Sequence, residues 1–219
     1  MDFYLFPRKS RDRILRHDDD QIPRLFVQIE EDRGEGTGQW PMELTVSGPI
    51  GSGKSTVAKL LASRLDFHYM STGDIFRNNA RKHGMSVEAF NEYAEKHPEV
   101  DVDQDNYLIE KMKTSDGLVI DSRLAGWLSY KNGILAFRVY ITADDKTRAE
   151  RISGREKVTP EHASVLISRR EESEAKRYRS LYEIDISDTT IYDLVLDTTN
   201  MKPEDAVTAI IERMKELNA

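Results

Sequence analysis

Residues 43–56 read Glu-Leu-Thr-Val-Ser-Gly-Pro-Ile-Gly-Ser-Gly-Lys-Ser-Thr. Gly48, Gly53, Lys54 and Ser55 satisfy the pattern G-x-x-x-x-G-K-[ST]. The setting constrains the fold as much as the letters do. A short apolar run with Leu44 and Val46 precedes the loop, and Val57, Leu60, Leu61 and Leu65 follow it at helical spacing. A glycine-rich turn between a strand and a helix lets backbone N–H groups converge, and the helix start adds the positive end of its dipole. That combination suits phosphate. Lys54 is placed to reach the β- and γ-phosphates of ATP and Ser55 to hold Mg²⁺, while Gly48, Pro49, Ile50, Gly51, Ser52, Gly53 and Thr56 complete the cradle. An ordinary glycine-rich turn does not account for Lys54-Ser55 at the helix start.

From residue 43 onward, strand-like and helix-like segments alternate. Strands are expected at 43–47, 67–71, 117–121, 136–141 and 193–197, and helices at 53–65, 74–83, 86–96, 102–114, 144–154, 160–182 and 203–217. Such alternation implies an α/β fold: a parallel sheet covered by helices on both faces, with right-handed crossovers. Residues 1–41 read as an N-terminal extension to a domain spanning 42–219. They mix seven Lys/Arg with nine Asp/Glu and show no sustained period beyond a candidate strand at Leu25–Ile29, so poor order is expected there. Met42, just before the first core strand, is a candidate physiological start.

The bulk properties narrow the function classes. The chain has 219 residues, enough for one sizeable core, with 32% charged and 38% hydrophobic side chains. A formal charge of −7 argues against a mainly electrostatic nucleic-acid binder. The absence of cysteine removes disulfides and thiolate chemistry and suits a reducing cytoplasm. No apolar run is long enough to span a membrane, and the N-terminus lacks the pattern of a signal peptide. The five histidines never fall at metal-ligand spacing, so no dedicated metal cage is expected. A monomer acting on small molecules is expected.

Three further clusters carry chemistry. The second candidate strand runs into Ser71-Thr72-Gly73-Asp74-Ile75-Phe76-Arg77. Thr72 or Asp74 can cap the next helix, with Arg77 one turn inside it to grip a second phosphate; a capped helix with a solvated arginine is the alternative. The third strand ends in Asp121-Ser122-Arg123. An Asp at the end of an apolar strand is the expected Walker-B metal position, and Arg123 shares the carboxyl end of the sheet, where ligands bind in open α/β folds. Finally, nine basic and six acidic side chains crowd residues 148–179. A solvated helix pair would explain them. Yet Arg dominates over Lys, and its planar fork suits phosphate. Arg151 and Arg155 share one helical face, and Arg170, Glu174 and Arg177 share another.

Together these clusters resemble nucleoside monophosphate kinases, most closely the archaeal type of cytidylate kinase, over roughly residues 43–217. Ser71–Arg77 is similar to the family's monophosphate-binding signature, and Asp121-Ser122-Arg123-Leu124-Ala125-Gly126-Trp127 to its G-R-L-A-G-W element. Arg148–Arg155 resembles the entry to the lid, Arg170-x-x-x-Glu174-x-x-Arg177 the R-x-x-x-D-x-x-R lid element, and Ile191–Thr198 the last strand. The resemblance implies a P-loop NTPase fold with a five-stranded sheet of order 2-3-1-4-5, a monophosphate-binding region at 72–115 and a lid at 148–182. It implies that Arg77 and Arg123, with Thr72 and Asp74, hold the CMP phosphate. Arg155, Arg170 and Arg177 would neutralise the transferred phosphoryl group beside Lys54. Ser55 and Asp121 would hold Mg²⁺, Arg151 would stack on the donor's adenine, and Glu174 would bind ribose. Two positions depart from the bacterial pattern: Ser122 replaces Gly, and Leu124 replaces an Asp that contacts cytosine. Asp101, Asp103 and Asp105 are candidate base readers, with helix capping as the favoured reading.

The reaction implied is ATP + CMP, or dCMP, to ADP + CDP. Another small P-loop kinase acting on AMP, UMP or a non-nucleotide acceptor is the nearest alternative. A GTPase-like switch would need a guanine-reading N-K-x-D after a later strand, whereas Thr142-Ala143-Asp144-Asp145-Lys146 stands there.

Overall fold

The computed structural model describes residues 43–115 and 117–217. The extension 1–41, with the expected strand at 25–29 and Met42, lies outside the described residues.

Five parallel strands form the sheet: β1 (Glu43–Ser47), β2 (His68–Ser71), β3 (Leu118–Asp121), β4 (Ala136–Thr142) and β5 (Leu194–Asp197), in the order β2-β3-β1-β4-β5. Eight helices complete the described chain: α1 (Lys54–Leu65), α2 (Thr72–Lys82), α3 (Val87–Ala94), α4 (Glu99–Thr114), α5 (Ala125–Lys131), α6 (Asp145–Glu156), α7 (Pro160–Tyr182) and α8 (Pro203–Leu217).

β1 and β3 are buried along their whole length. Their near-continuous apolar character follows from helices covering both faces. On one face, Leu118 and Ile120 of β3 pack against Leu108 and Met112 of α4 and Leu128 of α5. Ala206, Val207, Ile210 and Met214 of α8 are buried in the packing of that helix. Each large apolar side chain removed from water contributes about 1.5–3 kcal/mol.

Strand order reverses around β1, whose neighbours β3 and β4 lie on either side. The crevice beyond the carboxyl end of such a strand is where open α/β sheets take ligands. Register brings the chemistry there: Val46 and Ser71 both pair with Asp121, and Ser47 pairs with Tyr140.

The strand and helix expectations are met to within a few residues, with three differences. Helix α2 begins at Thr72 instead of 74, because strand β2 runs straight into it. Its cap is Ser71, whose side chain accepts a hydrogen bond from Asp74 N–H at 3.2 Å; neither Thr72 nor Asp74 is the cap. Helix α4 begins at Glu99, preceded by Pro98, so Asp101, Asp103 and Asp105 lie inside it and none caps it. Helix α5 was not expected at all. Its seven residues are too few to display a period.

Candidate active site

The loop after β1 owes its shape to glycine. Gly48 has φ 141° and Gly53 φ 96°, a region that side chains rarely adopt, and a Cβ on Gly48 would collide with the Ile141 carbonyl of β4. Gly53 precedes α1, which places Lys54 and Ser55 on its first turn. Lys54 Nζ donates to Pro49 O at 2.7 Å, across the loop. Burial, and then the nearby Arg123 charge, lower the Lys54 ammonium to about 8.

Ser55 Oγ donates to Asp121 Oδ2 at 2.5 Å, and the same carboxylate oxygen accepts from Ser71 Oγ and Tyr69 OH, each at 3.3 Å. Asp121 is buried at the end of β3. A hydroxyl and a carboxylate side by side form an oxygen donor set of the kind Mg²⁺ takes beside a phosphate. The residues present therefore fit that ion.

One cavity of about 560 Å³ opens above the loop. Lys54, Arg77, Arg123 and Arg155 all line it, as do Arg151, Arg170, Glu174 and Arg177. Ile50, Gly51, Ser52, Gly53, Ser55, Thr56, Thr72 and Asp121 also border it. Three residues expected at the site stand outside the lining. Gly48 and Pro49 sit behind it, where their carbonyls accept from Arg123 and Lys54. Asp74 is exposed and pairs with Arg77 at 2.7 Å.

Each cavity arginine has its partners. Arg123 Nη1 donates to Gly48 O at 3.0 Å and to Glu171 Oε1 at 3.1 Å. Its Nε lies 2.9 Å from Glu174 Oε2, an ion-pair distance without hydrogen-bond alignment. Arg151 donates to Ser52 O at 3.1 Å and to Thr198 O at 2.8 Å, clamping the glycine loop to the end of β5. Arg155 pairs with Glu156 at 2.8 Å and is half exposed. Arg170 bridges Glu156 at 2.9 Å and Glu88 of α3 at 2.5 Å. Arg177 is buried and points to the helical insert: it donates to Asp101 at 2.7 Å, to Ser173 at 2.7 Å and to Asn91 at 3.2 Å. Its guanidinium also lies 5.8 Å from the Phe76 ring.

The sequence profile of the cytidylate kinase-like family matches residues 43–200, most of the chain. The chain belongs to the cytidylate kinase-like family. It is 44% identical over 177 residues to the cytidylate kinase of Thermoplasma acidophilum, covering 81% of this chain and 94% of that one. It is 47% identical over 170 residues to the cytidylate kinase of Halorubrum lacusprofundi, covering 78% and 88%. Among solved structures, a shikimate kinase from Bacteroides thetaiotaomicron superposes with a TM-score of 0.55 at 15% identity, covering 81% of this chain and 98% of that one, which is a likeness of fold.

In this cytidylate kinase-like chain, the fold brings to view several side chains that carry no motif. Glu171 stands beside Arg170 in the sequence, where a solvated surface pair would be the simplest reading. Instead its Oε1 accepts from Ile50 N–H at 2.8 Å, Arg148 at 2.8 Å and Arg123 at 3.1 Å. Likewise Glu174 pairs with Arg123, not with Arg177. Asn91, Gln104 and Thr198 border the cavity as well. A lone Glu, Asn or Gln carries no motif, so only the folded chain brings these to view. Of the three candidate base readers, Asp101 is committed to Arg177 and Asp105 accepts from Tyr182 OH at 2.7 Å. Asp103 is exposed. Leu124 is packed in the core.

Proposed function

We propose that this chain, as a cytoplasmic monomer, transfers the γ-phosphoryl group of ATP to CMP or dCMP, giving ADP and CDP. One observation carries the reading: Lys54, Arg77, Arg123 and Arg155 line a single cavity at the mouth of the glycine loop. Such a cavity can hold two polyanions end to end. Two unit charges 4 Å apart repel by about 4 kcal/mol at an effective dielectric near 20, so cations must offset the approach of donor and acceptor.

We assign the glycine loop, Arg151 and Thr198 to the donor, and the cavity-lining residues of α2, α3 and α4 to the acceptor. In this assignment the backbone of Gly48–Thr56 holds the ATP phosphates and Lys54 bridges the β- and γ-phosphates. Arg151, clamped to Ser52 and Thr198, fixes the loop and lies against the donor. Ser55 and Asp121 would hold Mg²⁺, which neutralises charge on the phosphate oxygens when bound. Arg77 and Arg123, beside Thr72 and Asp74, hold the acceptor phosphate, and Glu174 binds a ribose hydroxyl. Arg155 and Arg170 face the transferred group, and Arg177 orders the acceptor side through Asp101 and Asn91. The attacking oxygen belongs to an anionic phosphate, so alignment and charge neutralisation suffice without a strong general base. Helices α6 and α7 form the proposed lid, and α2–α4 the proposed monophosphate-binding region.

The test is ADP release in a coupled assay with CMP, dCMP, UMP and AMP as acceptors. Turnover with CMP well above that with UMP and AMP is expected. A chain that binds ATP and CMP without producing CDP, or that prefers AMP, would overturn the assignment.

A further inference from the structure

Helix α4 turns an unusual face inward. Asp101, Gln104, Asp105, Leu108 and Met112 follow one another at helical spacing, and all but Gln104 are buried. Beyond its first two turns this face is apolar, as a core-facing helix requires. Its first two turns carry three polar side chains instead, and hydrogen-bonding groups withdrawn from water need partners. Two have them. Asp101 is bonded to Arg177, and Asp105 accepts from the Tyr182 hydroxyl. Gln104 is different. It borders the cavity, and its Oε1 is shielded from solvent yet accepts no hydrogen bond among the described residues.

Two polar groups of α3 and α7 are committed elsewhere. Asn91 donates to Val87 O at 3.0 Å and accepts from Arg177. Ser173 is also taken by Arg177. Phe76, Val87 and Tyr178 line the same cavity and offer it apolar surface suited to a flat ring. A carboxamide oxygen without a donor, bordering the same cavity, calls for a ligand that brings an N–H. The exocyclic amine of a cytosine base is such a donor, whereas uracil presents a carbonyl at the same position.

We propose that Gln104 is a specificity residue, its Oε1 accepting a hydrogen bond from the N4 amino group of the acceptor's cytosine. This deepens the proposed function and rests on CMP being the acceptor. An acceptor lacking that amine leaves the buried carbonyl unpaired, so the site discriminates by withholding a bond as much as by making one.

The test is a two-by-two comparison of kcat/KM. The acceptors are CMP and pyrimidin-2-one riboside 5′-monophosphate, which is CMP with the N4 amino group replaced by hydrogen. The enzymes are the parent and Gln104→Met, which keeps length and helix propensity without an amide. The parent is expected to lose about tenfold or more on the analogue, the scale of one hydrogen bond to a buried group. Gln104→Met is expected to treat the two acceptors within about twofold of each other, with the KM for ATP unchanged. A merely structural role would lower both acceptors together and leave their ratio intact. Parent-like discrimination in Gln104→Met overturns the inference, and so does a parent indifferent to the amine. That second measurement stands even if the variant fails to fold. A parent that does not phosphorylate CMP at all would instead defeat the proposed function itself.

Discussion

Glu171 Oε1 accepts a hydrogen bond from Ile50 N–H at 2.8 Å, which seats a carboxylate of α7 on the backbone of the glycine loop. The same oxygen receives Arg148 and Arg123. Replacing Glu171 by Ala therefore frees a loop amide and strips a carboxylate from two poorly exposed arginines. The expected outcome is a loss of about 1–3 kcal/mol of stability in urea unfolding, discounted because the carboxylate is partly solvated. A raised KM for ATP is expected with it. Glu171→Gln keeps an acceptor for Ile50 and should fall between the two. Parent-like unfolding of Glu171→Ala would contradict this role.

Lys54 links activity to pH. Its ammonium titrates near 8 in the free chain, and bound phosphates favour the charged form, so ATP raises it. Above about pH 8, ATP binding should therefore take up a proton. Affinity should then fall toward about tenfold per pH unit. Calorimetry in buffers of different ionisation enthalpy measures the uptake directly. Lys54→Ala should abolish it and lower kcat by about a thousandfold or more, with the melting profile retained. An ATP affinity that stays flat from pH 7 to about 9.5 would refute the linkage.

Arg77 is half exposed, and Asp74 is its one ion-pair partner among the described residues. It stands on α2 and lines the cavity. Arg77→Ala should raise the KM for CMP about tenfold or more, the scale of a charged hydrogen bond, while KM for ATP stays within about twofold. Steady-state kinetics with each substrate varied in turn separates the two. A defect confined to ATP would move Arg77 to the donor side.

Burial raises the Asp105 carboxyl to about 7, from 3.8 for the free side chain. Between those values the folded chain binds more protons than the unfolded one. Stability attributable to this group thus falls as pH rises, and the cost is complete above about pH 7. Asp105→Asn keeps an acceptor for the Tyr182 hydroxyl and removes the charge beside Asp101. It should be more stable than the parent by about 1–3 kcal/mol at pH 8, with the gain vanishing toward pH 4. Thermal melts across that range decide it, and a gain that persists unchanged at pH 4 would assign the effect to packing instead.

The sheet, the glycine loop and most helices were legible because each rests on local signals: alternation, helical period and glycines at fixed offsets. Leu44 and Val46 announce β1, and Val57 with Leu61 announce α1. Helix α5 was hidden by its brevity. The partners of the charged side chains were hidden for a different reason. Glu171 meets Ile50, and Arg177 meets Asp101, across separations of 121 and 76 residues. No periodicity encodes such meetings. Spacing along α7 placed Glu174 and Arg177 on one face, yet the fold sends one to Arg123 and the other to α4.

Carboxylates answer six arginines in and around the cleft: Arg77, Arg123, Arg148, Arg155, Arg170 and Arg177. An incoming anion therefore competes with resident acids for the N–H groups of these arginines. A solitary inorganic phosphate can contest only one or two of these pairs. Two nucleotides arriving together contest several at once, so the resident acids act as a threshold that keeps the pocket from silting up with the small anions of its surroundings.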